Sequence, residues 1–333
     1  FFKQKTAYEM DMRLIYTEVV TEGIDLMLHK CGNYVIKKMY EHCPMSFRRG
    51  MTNTMVGNVL LLAQNVNGCR VLQSAIEFSN DDAHLATVLS KELSDHIDTC
   101  ACDSNATHVL QKCLTSMSCK NSLFIAEALE HFDVLSLAKH QYGCHLLQRC
   151  IATCSGARSS TTVTASTEQF VSRIDHISSI LVKQFEELAF NRHGNFVLQY
   201  VLEHGSERQQ KESYAHVLEN VVRYSMHKFA SHLVEQCLKK STFDDNATLI
   251  ENILKQELHT AESGVSEQEH ALRPAIVCMM RDPYANFVVQ KVFDFCSLEQ
   301  RSRVYEVVTE HSQYLKKSTY ARHILLRIEQ QMQ

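Results

Sequence analysis

The chain is short of breakers, with ten glycines and three prolines among 333 residues. So few punctuating residues exclude a fold made of many tight turns and favour helices. It also lacks an excess of positive charge, since 34 Lys and Arg stand against 38 Asp and Glu for a net −4. That balance argues against holding a duplex mainly through phosphate contacts, while leaving open a binder that stacks on and reads bases. No apolar run approaches the roughly eighteen residues that span a membrane, and Phe1-Phe2-Lys3-Gln4-Lys5 has no signal-peptide character. The expectation is a soluble, cytoplasmic monomer whose start is cut from a longer chain. There is no P-loop, GxGxxG, HExxH or CxxC pair, and Cys100-Ala101-Cys102 is wrongly spaced for a zinc knuckle. An enzyme, a metal site and a cofactor are therefore not expected. The thirteen cysteines are odd in number and scattered through apolar runs, as at Cys113, Cys150 and Cys237, which reads as reduced, core-packing thiols.

What the chain has is a recurring phrase: CGNYVIKKMYEHC from Cys31, NGCRVLQSAIEF from Asn67, NATHVLQKCL from Asn105 and YGCHLLQRCI from Tyr142. It continues as HGNFVLQYVLEHG from His193, FASHLVEQCL from Phe229 and YANFVVQKVFDFC from Tyr284. The third residue of each phrase gives Asn33, Cys69, Thr107, Cys144, Asn195, Ser231 and Asn286, spaced 36, 38, 37, 51, 36 and 55 apart. A period in the high thirties with two insertions predicts an all-α, curved, right-handed-type α-solenoid of helical repeats. Apolar residues at helical spacing, such as Val197, Leu198, Val201 and Leu202, or Val288, Val289, Val292 and Phe293, are the expected core. A second amphipathic segment precedes each phrase, as at 85–97 and 214–224, so at least two helices per repeat are predicted. The insertions fall at about 153–169, a Ser/Thr-rich run expected to form a mobile loop, and at about 256–273, a polar stretch. Histidines at His29, His140, His193 and His227 suggest a shared structural role where the phrase helix begins.

Three positions in each phrase are not core. They read Asn33, Tyr34, Lys37; Cys69, Arg70, Gln73; Thr107, His108, Gln111; Cys144, His145, Gln148; Asn195, Phe196, Gln199; Ser231, His232, Glu235; and Asn286, Phe287, Gln290. At i, i+1 and i+4 of a helix, the first and third lie one above the other with the second beside them. The middle position is planar in every case. One aromatic at helical spacing is more often core than platform, but seven in register form a ladder on which unstacked bases can stack, at roughly 1–3 kcal/mol per base. The flanking short and long polar residues suit the edge of a single-stranded base. A helical-repeat scaffold for protein partners, of the HEAT or armadillo kind, is the alternative; it has no need of a planar ladder.

These residues resemble the PUF (Pumilio) family of RNA-binding repeat proteins over essentially the whole chain, through GNYVIK, GCRVLQ, GNFVLQ, SHLVEQC and DPYANFVVQKVFD. The resemblance implies a single Pumilio-type domain: a partial first repeat at 1–10 with Lys3 at its edge-reading position, seven complete repeats at about 11–300, and a cap at about 301–333. STYARHILLRIEQ, with Arg322 and His323 as minor RNA contacts, resembles the closing half-repeat. The resemblance also implies a code in which Asn with Gln reads uracil, Cys or Ser with Gln reads adenine, and Ser with Glu reads guanine, on RNA running antiparallel to the protein. The target is then 5′-UGUA-N-A-(U)-N. Thr107 leaves its base open, and Lys37, a donor without an acceptor, weakens a uracil preference. The implied setting is the 3′ untranslated region of messenger RNA, with repression or decay carried out by regulatory proteins that dock on the convex face and the 256–273 loop.

Overall fold

A computed structural model describes residues 17, 19–79, 81–161, 163–240, 242–260 and 271–331. The partial repeat expected at 1–10, with Lys3, lies outside these. The chain divides into two compact units, 1–180 and 181–333.

In the first unit the phrase helices are α1 (Gly32–His42), α2 (Gly68–Phe78), α3 (Ala106–Ser116) and α4 (Gly143–Arg158). Each packs on the next in sequence order. Their inward faces are fully buried, as at Ile36, Tyr40, Val71, Leu72, Val109, Leu110, Leu146 and Leu147. Burying each such side chain stabilises by about 1.5–3 kcal/mol. In the second unit α5 (Gly194–His204), α6 (Ser231–Lys240), α7 (Ala285–Phe295) and α8 (Thr319–Gln331) pack in the same serial way. The predicted core residues Val197, Leu198, Val201, Leu202, Val288, Val289, Val292 and Phe293 are all buried. So are the thiols of Cys113, Cys150 and Cys237, packed as small apolar groups.

Three helices per repeat, one beyond the expected minimum of two, carry the chain among the described residues. The segment read as one helix at 85–97 is Ala83–Leu93, a 3₁₀ turn at Ser94–His96 and a separate helix Ile97–Cys102. The break falls at His96, whose backbone leaves the helical region with φ −126° and ψ 16°. Asn220, with φ −121° and ψ 23°, breaks the 214–224 segment in the same way. The short helix so released runs into the phrase helix and sets where that helix starts.

Both insertions differ from the expected loops. The Ser/Thr-rich run is mostly helical: α4 continues to Arg158, and the next helix, Ala165–Lys183, begins within it. Cys154, Phe170 and Ile174 are buried where these helices meet, and Arg158 Nη2 pairs with Asp175 Oδ1 at 2.5 Å. Burial of these apolar side chains overrides the composition of the run. The second insertion supplies an antiparallel pair, β1 (Glu257–Thr260) and β2 (Ala271–Pro274), in register Glu257 with Pro274 and Thr260 with Ala271. The fold is thus helical repeats carrying one strand pair.

Outer helices start on strong caps. Ser206 and Gln209 form a reciprocal capping box at the head of Glu207–Glu219, with Ser206 N donating to Gln209 Oε1 at 2.9 Å. Ser206→Ala is expected to cost about 1 kcal/mol in a urea denaturation of the domain while leaving ligand affinity unchanged.

Candidate nucleic-acid interface

Each phrase helix begins at a turn built around the residue four places before the first triad position. At His29, Asn65, Asp103, His140, Asn191, His227 and Asp282, one side-chain atom accepts from two successive backbone N–H groups at 2.8–3.4 Å. This satisfies donors that a helix start leaves orphaned. The carbonyl of the same residue accepts the N–H of the first triad residue in all seven repeats, from Asn33 to Asn286. His29, His140 and His227 hold the predicted shared role. His193 does not: it lies two residues further on, and its N–H donates to Asn191, which occupies the equivalent place.

Above this turn the three positions take the same environment every time. Asn33, Cys69, Thr107, Cys144, Asn195, Ser231 and Asn286 are buried. Tyr34, Arg70, His108, His145, Phe196, His232 and Phe287 are exposed, Phe287 by 58%. Lys37, Gln73, Gln111, Gln199, Glu235 and Gln290 are half-buried, and Gln148 is buried. Large exposed aromatics beside buried asparagines reverse the usual distribution, and here the reversal recurs in register.

The short residue is the floor of the triad rather than an equal partner in an open pair. Asn195 Nδ2 donates to the Asn191 carbonyl at 2.9 Å, while its Oδ1 accepts from Gln199 Nε2 at 3.0 Å. Gln111 Nε2 reaches Thr107 Oγ1 at 3.3 Å, and Gln73 Nε2 reaches the Cys69 carbonyl at 3.1 Å. These bonds orient the long amide through its Nε2. The floor thiols donate inward, Cys69 Sγ to the Val66 carbonyl and Cys144 Sγ to that of Gln141. Burial pushes the Cys144 thiol up to about 11, so it stays protonated. In the sixth repeat, the imidazole of His232 beside Glu235, Nδ1 to Oε1 at 3.6 Å, holds the Glu235 carboxyl below its usual range against the opposing effect of burial. Glu235 is therefore an acceptor-only group at neutral pH.

Two triads hold a buried polar atom with no protein partner: Asn33 Oδ1 and Gln148 Nε2. Leaving such a group unsatisfied costs about 1–3 kcal/mol, which a base edge can recover. Lys37 leaves Asn33 Oδ1 alone, its ammonium standing 5.7 Å from the Tyr34 ring centroid. In α8 the equivalent places are Arg322, His323 and Leu326, all exposed, with Arg322 Nε donating to the Lys316 carbonyl at 3.0 Å. This helix thus carries an apolar Leu where the others carry Gln, Glu or Lys.

Serial helices, each offering one exposed flat side chain over a buried polar floor, define a helical-repeat protein. Seven segments, 24–51, 58–90, 96–128, 133–160, 184–212, 220–254 and 275–309, match the Pumilio-family RNA binding repeat. The chain belongs to the Pumilio (PUF) family, a family of binding repeats and not of enzymes. It is 28% identical over 312 residues to Pumilio homolog 11 of Arabidopsis thaliana, covering 89% of this chain and 48% of that protein. It is 27% identical over 304 residues to the Pumilio domain-containing protein C6G9.14 of Schizosaccharomyces pombe, covering 91% of this chain and 40% of that protein. The chain thus spans about half the length, or less, of these relatives. Among solved structures it is similar to PUF-8 in complex with PBE-RNA, with TM-score 0.81, 29% identity and coverage of 96% and 85% of the two chains. The Puf3 RNA-binding domain bound to a Cox17 RNA 3′ UTR site gives TM-score 0.75, 25% identity and coverage of 96% and 87%.

Proposed function

We propose that this chain binds single-stranded RNA with a 5′-UGUA core and acts on messenger RNA through elements in 3′ untranslated regions. The observation that carries this is the sevenfold recurrence of a buried short residue, an exposed planar residue and a long polar residue on successive helices. Asn286 with Gln290 reads the first U, Ser231 with Glu235 the G, Asn195 with Gln199 the second U, and Cys144 with Gln148 the A. Thr107 with Gln111 accepts an open position, Cys69 with Gln73 reads A, and Asn33 with Lys37 leans weakly to U. The planar residues stack between bases and supply affinity, and the flanking pair supplies identity. The complexes of PUF-8 with PBE-RNA and of Puf3 with a Cox17 3′ UTR site support this reading by similarity. Repression or decay falls to recruited proteins, for which the strand pair of the 256–273 segment, with Leu272 half exposed, is the proposed dock.

Fluorescence anisotropy of a short labelled UGUA RNA titrated with the chain is expected to show saturable binding below micromolar protein. No binding at micromolar protein would favour a protein-binding scaffold instead.

A further inference from the structure

The turn that starts each reading helix does two things with one residue. Its side chain accepts two backbone N–H groups, and its carbonyl holds the N–H of the first triad residue: Cys144 N to the His140 carbonyl at 3.1 Å, and Ser231 N to that of His227 at 3.1 Å. Where this residue is Asn or Asp, the accepting oxygen is unaffected by pH near neutrality. Where it is histidine, the acceptor is Nδ1, at 3.2 and 3.3 Å from the N–H donors of Tyr142 and Gly143 at His140, and at 3.2 and 3.4 Å from those of Phe229 and Ala230 at His227. An imidazole accepts at Nδ1 only while it is neutral. A proton there replaces a lone pair with an N–H facing two others, at a helix end that already disfavours positive charge.

We infer that the residue four places before the first residue of each triad is a positioning residue, and that the fourth and sixth repeats, which use His140 and His227, read their bases in a proton-sensitive way while the fifth and seventh, which use Asn191 and Asp282, do not. The inference rests on the base assignments proposed above.

The surroundings of His227 agree. Its ring meets the edge of Phe190 at 4.5 Å and lies 5.7 Å from Phe229. The charged groups around it are Arg223 and Lys228 from its own segment and Glu186, the ion-pair partner of Arg223, from the preceding short helix. The titratable groups of the following α6 are His232 and Glu235, which pair with each other. Burial, aided by Arg223, holds the imidazole below its ordinary range. The turn is therefore complete above about pH 6.5, where the unfolded imidazole is also neutral, and its contribution is lost as pH falls through the lowered folded value. The His140 ring lies 5.8 Å from that of Tyr142, with Lys139 the adjacent charged residue in the chain.

The test compares base discrimination by the whole chain at about pH 7.5 and about pH 5.0. Between these, preference for G over A at the sixth repeat and for A over U at the fourth is expected to fall about threefold to tenfold, while preference for U at the fifth and seventh holds. Glu235 remains ionised across this range, and because the planar groups His145 and His232 are imidazoles too, the deciding arm is the pair of variants His140→Asn and His227→Asn. Each installs the residue the chain already uses at Asn65 and Asn191. These variants are expected to bind as the parent does at the higher pH and to keep their discrimination at the lower. The same pH dependence in parent and variants, or none in the parent, overturns the inference. A chain without UGUA preference at the higher pH sinks the base assignments instead. In either case ¹⁵N spectra of the imidazoles still decide the turn: both rings are expected as the Nε2–H tautomer, and an Nδ1–H tautomer overturns the positioning role whichever bases are read.

Discussion

RNA in which UGU is replaced by ACA is expected to bind at least about a hundredfold more weakly than the UGUA sequence. Three edge readings are lost together, at Asn286 with Gln290, Ser231 with Glu235, and Asn195 with Gln199. Each is worth about 1–3 kcal/mol by analogy with direct readout on DNA, and contributions at separate positions add roughly. Binding is not abolished, because Phe287, His232 and Phe196 are exposed and stack on any base. The expected curve is a weak, sequence-tolerant remnant. Anisotropy competition at one fixed salt concentration measures it, and equal affinity for the two RNAs would remove the assignment of these repeats.

Glu235→Gln is expected to move the preference of the sixth repeat from guanine to adenine. Guanine presents two N–H donors on its edge, and a carboxylate accepts both. Its replacement by an amide puts one donor against a donor and leaves a triad of Ser231, His232 and Gln, the same polar pattern as Cys144, His145 and Gln148. Affinity for UGUA should fall by about 1–3 kcal/mol, or roughly tenfold to a hundredfold, while UAUA gains. His232 holds the Glu235 carboxyl below its ordinary value of 4.5. The parent's guanine preference therefore does not weaken through loss of this charge until pH falls below that value. Competition between UGUA and UAUA RNA gives the result directly, and an unchanged ratio would show that Glu235 is not the reader.

The period made the triads legible, because a fixed offset within a repeated phrase is visible without coordinates. The core followed from the same offsets, as Val197, Leu198, Val288 and Val289 show. What escaped was the turn beneath each triad. His29, Asn65, Asp103, His140, Asn191, His227 and Asp282 share an offset as strict as that of Gln73 or Gln199. Three chemical types stand there, however, and only the hydrogen bonds reveal that an imidazole nitrogen, an amide oxygen and a carboxylate oxygen do the same work. His193 misled because shared identity suggested a shared place. The insertions escaped for a different reason. Ser and Thr in 153–169 have modest helix propensity, yet the run is carried in helices that bury Cys154 and Phe170, and tertiary burial outweighs local preference. The strand pair is four residues a side, too short for alternation to stand out from a polar background.

The side-chain hydrogen bonds of each buried floor residue stay within its own repeat, as at Asn33, Cys69, Thr107, Asn195 and Asn286. The residues found on the floor, Asn, Ser, Thr and Cys, have codons linked through serine by single-nucleotide changes. Gln, Glu and Lys above them are linked to one another in the same way. On the proposed assignments, a descendant of this gene could respell one letter of its target at a time, each step a point mutation in one repeat.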